Sequence, residues 1–162
     1  MSGHLVVPNS FESISTVTLG SSASGITFSS IPNTYSHLQF RISGYMSGGN
    51  WAVIQFNGDT SGNTRHILYG NGSAVTAGSA TTDGLTYLSS SSGGAGITDV
   101  LDYTNTNKYK TVRTLGGWDL NGSGYIILGS NLWQNTSAIT SVTFAGNSSW
   151  AAGSTIALYG VK

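Results

Sequence analysis

Few side chains in this sequence could transfer a proton or bind a metal ion. There are three histidines, six carboxylates and no cysteine. They are His4, His37, His66, Glu12, Asp59, Asp83, Asp99, Asp102 and Asp119. No histidine stands near a carboxylate at the spacing of metal ligands, and the acids are too dispersed for a glycosidase pair. No Gly-x-Ser-x-Gly segment marks a nucleophilic serine. The sequence therefore predicts a protein that is not an enzyme and has no catalytic residue, metal ion or cofactor.

Two short segments have the oxygen-rich composition of a calcium loop. They are residues 57–63, which include Asp59, and residues 119–123, which begin at Asp119. Neither segment continues to the glutamate that an EF-hand loop requires as its last ligand. Asparagine and aspartate also close tight turns by accepting hydrogen bonds from nearby backbone N–H groups. We therefore expect Asx-turns at both places.

The charged side chains concentrate between Asp99 and Arg113, where five of the twelve are found. Tyrosine and arginine are favoured at the centres of protein interfaces, and two tyrosines lie among these charges. The candidate subunit-contact residues are Tyr103, Lys108, Tyr109, Lys110 and Arg113. The same pattern also fits a solvent-exposed hairpin whose cross-strand ion pairs contribute little. Both interpretations remain open at this point.

Three of the four tryptophans fall in or beside predicted loops, whereas Trp51 lies in a predicted core strand. An exposed indole can stack on a sugar, or it can fold back over the end of a sandwich. The candidates for glycan stacking are Trp118, Trp133 and Trp150. A carbohydrate-binding module is therefore an alternative function.

The composition restricts the partners further. Charged residues make 7% of the chain, against about 25% in ordinary domains, and the net charge is zero. Nucleic acids and anionic membranes are bound through clustered lysine and arginine, so neither is expected as a partner. Neither a signal peptide nor a long apolar run is apparent, so we expect no passage through a membrane. Weak charge repulsion suits a protein that works in an assembly.

Alternating apolar residues predict β-strands throughout. Residues 37–43 alternate with Leu38, Phe40 and Ile42 on one face, whereas residues 51–56 and the run 125–128 are apolar enough to be buried on both faces. Residues 97–103 and 108–115 predict a hairpin, and the Gly- and Ser-rich stretch 70–96 predicts long surface loops. We expect an all-β, single-domain, jelly-roll-like antiparallel β-sandwich over residues 11–162, preceded by an extended arm at residues 1–10.

Several phrases resemble a family of small structural proteins of tailed bacteriophages, which includes proteins that decorate or cement the head. The phrases are Ile31–Gln39, Phe56–Thr60, Asp102–Thr111, Leu132–Thr136 and Leu158–Gly160. They are turn and strand phrases that span most of the chain from Ile31 onward. They carry no site signature.

The resemblance implies a jelly-roll subunit that forms a homotrimer on the outer surface of the virion head. Its partners would be the major capsid protein and copies of itself, and it would be made in the host cytoplasm. In this hypothesis the arm contacts the capsid through Leu5, Val6 and Val7, and the hairpin between Asp99 and Arg113 joins subunits. A receptor- or carbohydrate-binding module of a tail or fibre is the alternative that the same resemblance leaves open.

Overall fold

The computed structural model describes residues 10–48, 51–88 and 93–162, which form twelve β-strands and, within those ranges, no helix. The strands are β1 (Phe11–Thr18), β2 (Ala23–Phe28), β3 (His37–Gly44), β4 (Trp51–Phe56), β5 (Asn63–Gly70), β6 (Val75–Ala80), β7 (Leu85–Leu88), β8 (Gly94–Leu101), β9 (Lys110–Asp119), β10 (Gly124–Trp133), β11 (Val142–Trp150) and β12 (Thr155–Val161). Among these residues no helix is long and apolar enough to cross a membrane.

The strands form two antiparallel sheets in jelly-roll order. The larger sheet runs β1-β12-β3-β8-β9-β10-β5-β6, and the smaller runs β2-β11-β4-β7. Successive strands β1 to β4 alternate between the sheets, and β7, β8, β11 and β12 pair back against them, as the rolled-up hairpin of a jelly roll requires. The predicted all-β jelly-roll-like sandwich is confirmed.

Two hairpins are added to this eight-stranded jelly roll. The hairpin β5–β6 lies between β4 and β7 in the chain, and the hairpin β9–β10 lies between β8 and β11. They pair with each other through β10 and β5, and with the jelly roll through β9 and β8. We call β5, β6, β9 and β10 the extension, and the other eight strands the body. The extension widens only the larger sheet.

The core of the body forms as the alternation predicts. Leu38, Phe40 and Ile42 on β3 are buried, and the Phe40 ring packs edge-on against Phe28 and Phe144 at centroid distances of 5.6 and 5.0 Å. Aromatic side chains bury large areas and favour this edge-to-face geometry. Burial of each such side chain is worth roughly 1.5–3 kcal/mol. The apolar interior between the two sheets therefore accounts for the stability of the body.

Three expectations about strands are wrong. β4 alternates between buried and partly exposed positions, so it is covered on one side only and Trp51 is partly exposed. The stretch 70–96 contains strands, β6 and β7, because pairing with β5 and β4 outweighs its Gly- and Ser-rich composition. In the run 125–128 only Ile127 is buried, and its neighbours Ile126 and Leu128 face solvent. The predicted arm at residues 1–10 stays a prediction, since residues 1–9 lie outside the described ranges.

Candidate interaction surface

A row of aliphatic side chains crosses the outer face of the extension and of β8, the body strand that pairs with it. Ile97 on β8 is paired with Leu115 on β9, which is paired with Leu128 on β10, and Leu128 is paired in turn with Leu68 on β5. Side chains at directly paired positions stand next to one another on the same face of a sheet. Their exposed fractions lie between 43% and 57%, so the four form a continuous apolar strip in solvent.

A second row runs beside this strip. It joins Ala95, Gly117, Ile126, Gly70 and Val75 through consecutive strand pairs. Ile126 and Val75 are 60% and 71% exposed, and each stands beside a glycine that has no side chain. The row therefore has two raised side chains with one gap, at Gly70, between them. We call the six side chains of the two rows the outer patch, which comprises Leu68, Val75, Ile97, Leu115, Ile126 and Leu128.

Polar residues border the other side of the strip. Asp99, Arg113, Ser130, His66 and Ser79 follow one another across the same five strands. A shallow groove of about 670 Å³ lies between this polar row and Leu68 and Leu128. A hydrophobic centre with a polar margin is the usual anatomy of a protein interface.

The inner face beneath the patch includes buried polar side chains beside apolar ones such as Val112 and Ile127. Thr98, Thr114 and Asn131 are buried there. The Thr114 hydroxyl donates to the carbonyl of Thr86 on β7 at 2.6 Å and lies 3.0 Å from the Thr98 hydroxyl. The Asn131 amide donates to the carbonyl of Leu85 at 3.1 Å. These bonds tie β8, β9 and β10 to the edge of the smaller sheet.

Two of the predicted subunit-contact residues are buried inside the subunit. Tyr103 is fully buried and its hydroxyl donates to the carbonyl of Pro32. The ammonium group of Lys110 donates to the carbonyls of Asn105, Lys108 and Thr136 at 2.5, 3.1 and 3.0 Å. Burial raises the pKa of Tyr103 and lowers the pKa of Lys110. Both side chains hold the loop between β8 and β9 in place, so neither can contact a partner directly.

The other three candidates of that group are on the surface. Tyr109 is 48% exposed, Arg113 lies in the polar row beside the patch, and Lys108 forms an ion pair with Asp102. The ion pair lowers the pKa of Asp102. Of the five candidates, only these three are available for a subunit contact. The predicted hairpin that carries them is confirmed as β8–β9. The capsid-contact candidates Leu5, Val6 and Val7 lie outside the described residues.

Two of the three glycan-stacking candidates are also buried. Trp133 packs on Phe56 at a centroid distance of 5.3 Å, and the Trp150 indole N–H donates to the carbonyl of Phe144. Both fill the interior because β10 and β11 extend to them, so neither can stack on a sugar. Trp118 is partly exposed and packs on Tyr125 at 5.5 Å, beside an open cleft of about 1080 Å³.

Two aspartates close turns by accepting hydrogen bonds. Asp59 accepts hydrogen bonds from Ser61 and from the indole N–H of Trp133, all at 2.8 Å, and these bonds lower its pKa. Asp119 accepts the backbone N–H of Asn121 at 2.7 Å. The two predicted Asx-turns are confirmed. The described residues contain no group of three or more histidines and carboxylates that could hold a metal ion.

One histidine lies closer to a carboxylate than the sequence indicated. Nδ1 of His37 accepts the backbone N–H of Asp102 at 2.9 Å and lies 3.4 Å from the Asp102 carboxylate. The two residues are distant in the sequence, but β3 and β8 bring them together because they pair antiparallel. The contact joins the end of β8 to β3 and has the geometry of a structural hydrogen bond.

Comparison with known proteins does not assign the chain to a family. No protein-family model matches it, and a search of curated proteins finds no significant match. The evidence for function therefore comes from the outer patch and its surroundings. The sequence did contain a signal for the outer patch, since four consecutive apolar residues at 125–128 must place apolar side chains on both faces of a strand.

Proposed function

We propose that this chain is a non-enzymatic structural protein of a tailed-phage virion, which binds the outer surface of the head as a homotrimer and stabilises the shell. The observation that carries the proposal is the outer patch. Six aliphatic side chains stand in solvent on one sheet face. A monomeric protein rarely exposes a contiguous apolar patch of this kind unless it is an interaction site.

Composition and resemblance supply further support. With charged residues at 7% and zero net charge, the surface has little long-range repulsion to oppose close packing of many copies. The phrases that resemble head-decoration proteins include Asp102–Thr111, which forms the loop between β8 and β9, and Leu158–Gly160 on β12. A protein of this kind would act by bridging neighbouring capsid subunits, so binding and not chemistry would be its activity.

The direct test is binding to heads that lack the protein. Heads would be purified from the phage that encodes this chain after its gene is deleted, mixed with the purified protein and sedimented. We expect saturable binding at a fixed number of copies per head and an increase in the temperature at which DNA is released. Heads that bind no protein, or that gain no stability when saturated, would contradict the proposal.

The arm is tested in the same assay. The resemblance implies that Leu5, Val6 and Val7 contact the capsid. A chain without residues 1–8 should therefore lose its attachment to heads while keeping its fold. Circular dichroism would establish the fold of the shortened chain. Full attachment of this chain would remove the arm from the proposal and leave the body and the extension as the contact surfaces.

A second candidate function is glycan or receptor binding by a tail or fibre module. It is favoured by one observation, the position of Trp118 and Tyr125 on the wall of the 1080 Å³ cleft. Aromatic side chains at such a site can stack on sugar rings. Loss of host adsorption in Trp118→Ala, with head stability unchanged, would favour this function over the first.

A further inference from the structure

We infer that a second copy of this chain covers the outer patch, so that this face lies at the centre of the subunit interface. The inference deepens the proposed function and rests on the self-assembly that it includes. The sequence makes side chains of the β8–β9 hairpin candidates for the subunit contact. The structure instead offers Leu115 and Leu128, at the centre of the strip, as the middle of the contact.

The strands of the patch carry apolar side chains on both faces. A sheet with one face on a core carries apolar residues inward and polar residues outward. On β9 the inward residue Val112 is fully buried, yet Leu115 on the other face points to solvent and is 50% exposed. On β10 the inward residue Ile127 is buried, yet Leu128 on the other face is 57% exposed. The strands therefore have the pattern expected if the outer face is also covered.

The exposed apolar area of the patch is comparable to the centre of a protein interface. Six side chains with exposed fractions from 43% to 71% present on the order of 500 Å² of apolar surface, at the upper end of what a monomer exposes. A stable interface of standard size buries about 800 Å² on each partner, of which the apolar centre is the larger part. The patch with its polar margin is thus large enough to be the core of a subunit interface.

The shape and charge of the patch favour a second copy over a different protein. An interface between identical subunits needs a surface that fits itself around a symmetry axis. The patch supplies raised side chains, Ile126 and Val75, with a gap at Gly70 between them. None of its six side chains is charged, so copies meet there without repulsion. A patch that lies on the axis meets its own copies in a trimer as well as in a dimer.

The test is the molar mass of the full chain in solution, measured by light scattering after size exclusion over a wide range of concentrations. The wild type should form a species of about 50 kDa, three times the 16.8 kDa chain. Leu128→Glu should be a folded monomer, because the contact would bury several carboxylates near the axis without partners. Thr16→Glu is the matched control and should keep the wild-type mass. Thr16 is exposed in the same cross-strand row at the opposite end of the sheet.

A milder variant covers the case in which Leu128→Glu does not fold. Leu128→Thr keeps a residue that is favourable in strands and should weaken association roughly tenfold or more, as expected for a central interface residue. A wild-type monomer at all concentrations would overturn the inference. Unchanged mass in Leu128→Glu, or unchanged association in Leu128→Thr, would overturn it as well.

Head binding separates this inference from the proposed function. A wild-type monomer that binds heads, and that loses binding in Leu128→Glu, would mean that the capsid protein covers the patch. That result would reject the second copy and keep the head-binding function. An oligomer that depends on Leu128 but binds no heads would keep this inference and reject the head-binding function.

Discussion

The body and the extension differ in what their outward faces carry. On β3 in the body, Leu38, Phe40 and Ile42 point inward, and the exposed face carries Arg41. On β9 in the extension, Val112 and Thr114 are buried on the inward face, whereas Leu115 points outward and is 50% exposed. Because the hydrophobic effect favours apolar residues where water is excluded, the body has the pattern of a sheet with one face buried within its own chain. The extension carries a second apolar face, which is exposed in the single subunit.

The two regions consequently differ in what holds them. Edge-to-face aromatic packing and dispersion stabilise the body, whereas in the extension hydrogen bonds from Thr114 and Asn131 to β7 add to the apolar packing of Val112 and Trp133. A hydrogen bond contributes about 1 kcal/mol net, which is less than the burial of a large apolar side chain. The comparison predicts that mutations in the body lower the stability of the monomer, whereas mutations in the outer patch alter assembly.

The largest effect is expected for Phe40→Ala. Phe40 is fully buried, and its loss leaves a cavity between Phe28 and Phe144, so the free energy of unfolding should fall by about 3–5 kcal/mol. Leu128→Ala should change it by less than about 0.5 kcal/mol at concentrations where the chain is monomeric, since the side chain is already 57% exposed. Urea unfolding followed by tryptophan fluorescence measures both.

Concentration supplies the control for this pair. If copies associate through the outer patch, Leu128→Ala should fall behind the wild type only as concentration rises, because association stabilises the folded chain by mass action. The deficit of Phe40→Ala should persist at every concentration. Equal losses for the two variants in the monomer would mean that the patch belongs to the core of the subunit, and the contrast between body and extension would be wrong.

The sequence predicted the body better than the extension, and the reason is physical. A strand such as β3, with one face on a core, shows its inward residues directly as a period of two. A strand with apolar residues on both faces, such as β10, is predicted to be buried on both faces. The sequence does not show whether the second face is buried by the same chain or by another molecule. The run 125–128 was therefore predicted as buried, although two of its aliphatic side chains are exposed in the single subunit.

The candidate residues show the same limit. The sequence makes Tyr103 and Lys110 candidates because they lie where charged residues and tyrosines concentrate, but the fold buries both side chains. Lys110 donates its hydrogen bonds to loop carbonyls, which every residue has and no sequence pattern marks. The apolar runs of β10 and β11 end before Trp133 and Trp150, so the sequence places both residues in loops. The strands continue beyond these runs and include both residues.

An intermediate effect is expected where the extension joins the smaller sheet. Thr114→Val keeps the shape of the side chain but removes the hydroxyl that donates to Thr86 and lies 3.0 Å from the Thr98 hydroxyl. Buried polar groups without a partner are unfavourable, so the free energy of unfolding should fall by about 1–2 kcal/mol. Thermal unfolding should show a decrease in Tm of about 2–8 °C for a chain of this size.

The body offers a matched control for this substitution. Thr143 forms the same kind of hydroxyl pair with Thr27, at 2.9 Å, on the exposed face of the smaller sheet. Water can replace that contact, so Thr143→Val should leave Tm nearly unchanged. A loss in Thr143→Val as large as that in Thr114→Val would show that the buried hydrogen bonds are not what distinguishes the junction of the extension.

The smallest effect on stability is expected from the pH dependence of Asp59. This residue lies in the turn between β4 and β5, where the chain passes from the body to the extension. The Asp59 carboxylate accepts the indole N–H of Trp133 at the end of β10, and this bond is the main reason that its pKa is lowered. A carboxylate whose pKa is lower in the folded chain stabilises the fold above its ordinary pKa, and the contribution disappears as pH falls through the folded value. Asp59→Asn should therefore lower Tm at pH 7, and its difference from wild type should shrink below about pH 4.

Asp119→Asn is the comparison for that measurement, because Asp119 closes an exposed turn by accepting the backbone N–H of Asn121. Its effect on Tm at pH 7 should be smaller than that of Asp59→Asn. The Asp59 carboxylate also accepts an indole N–H from another strand, whereas the Asp119 bond lies within its own turn. If the Asp59→Asn difference stayed constant from pH 7 to pH 3, the charge of Asp59 would not be its cause. The junction would then depend on the shape of the turn alone, and the body and the extension would be joined by packing and not by a charged hydrogen bond.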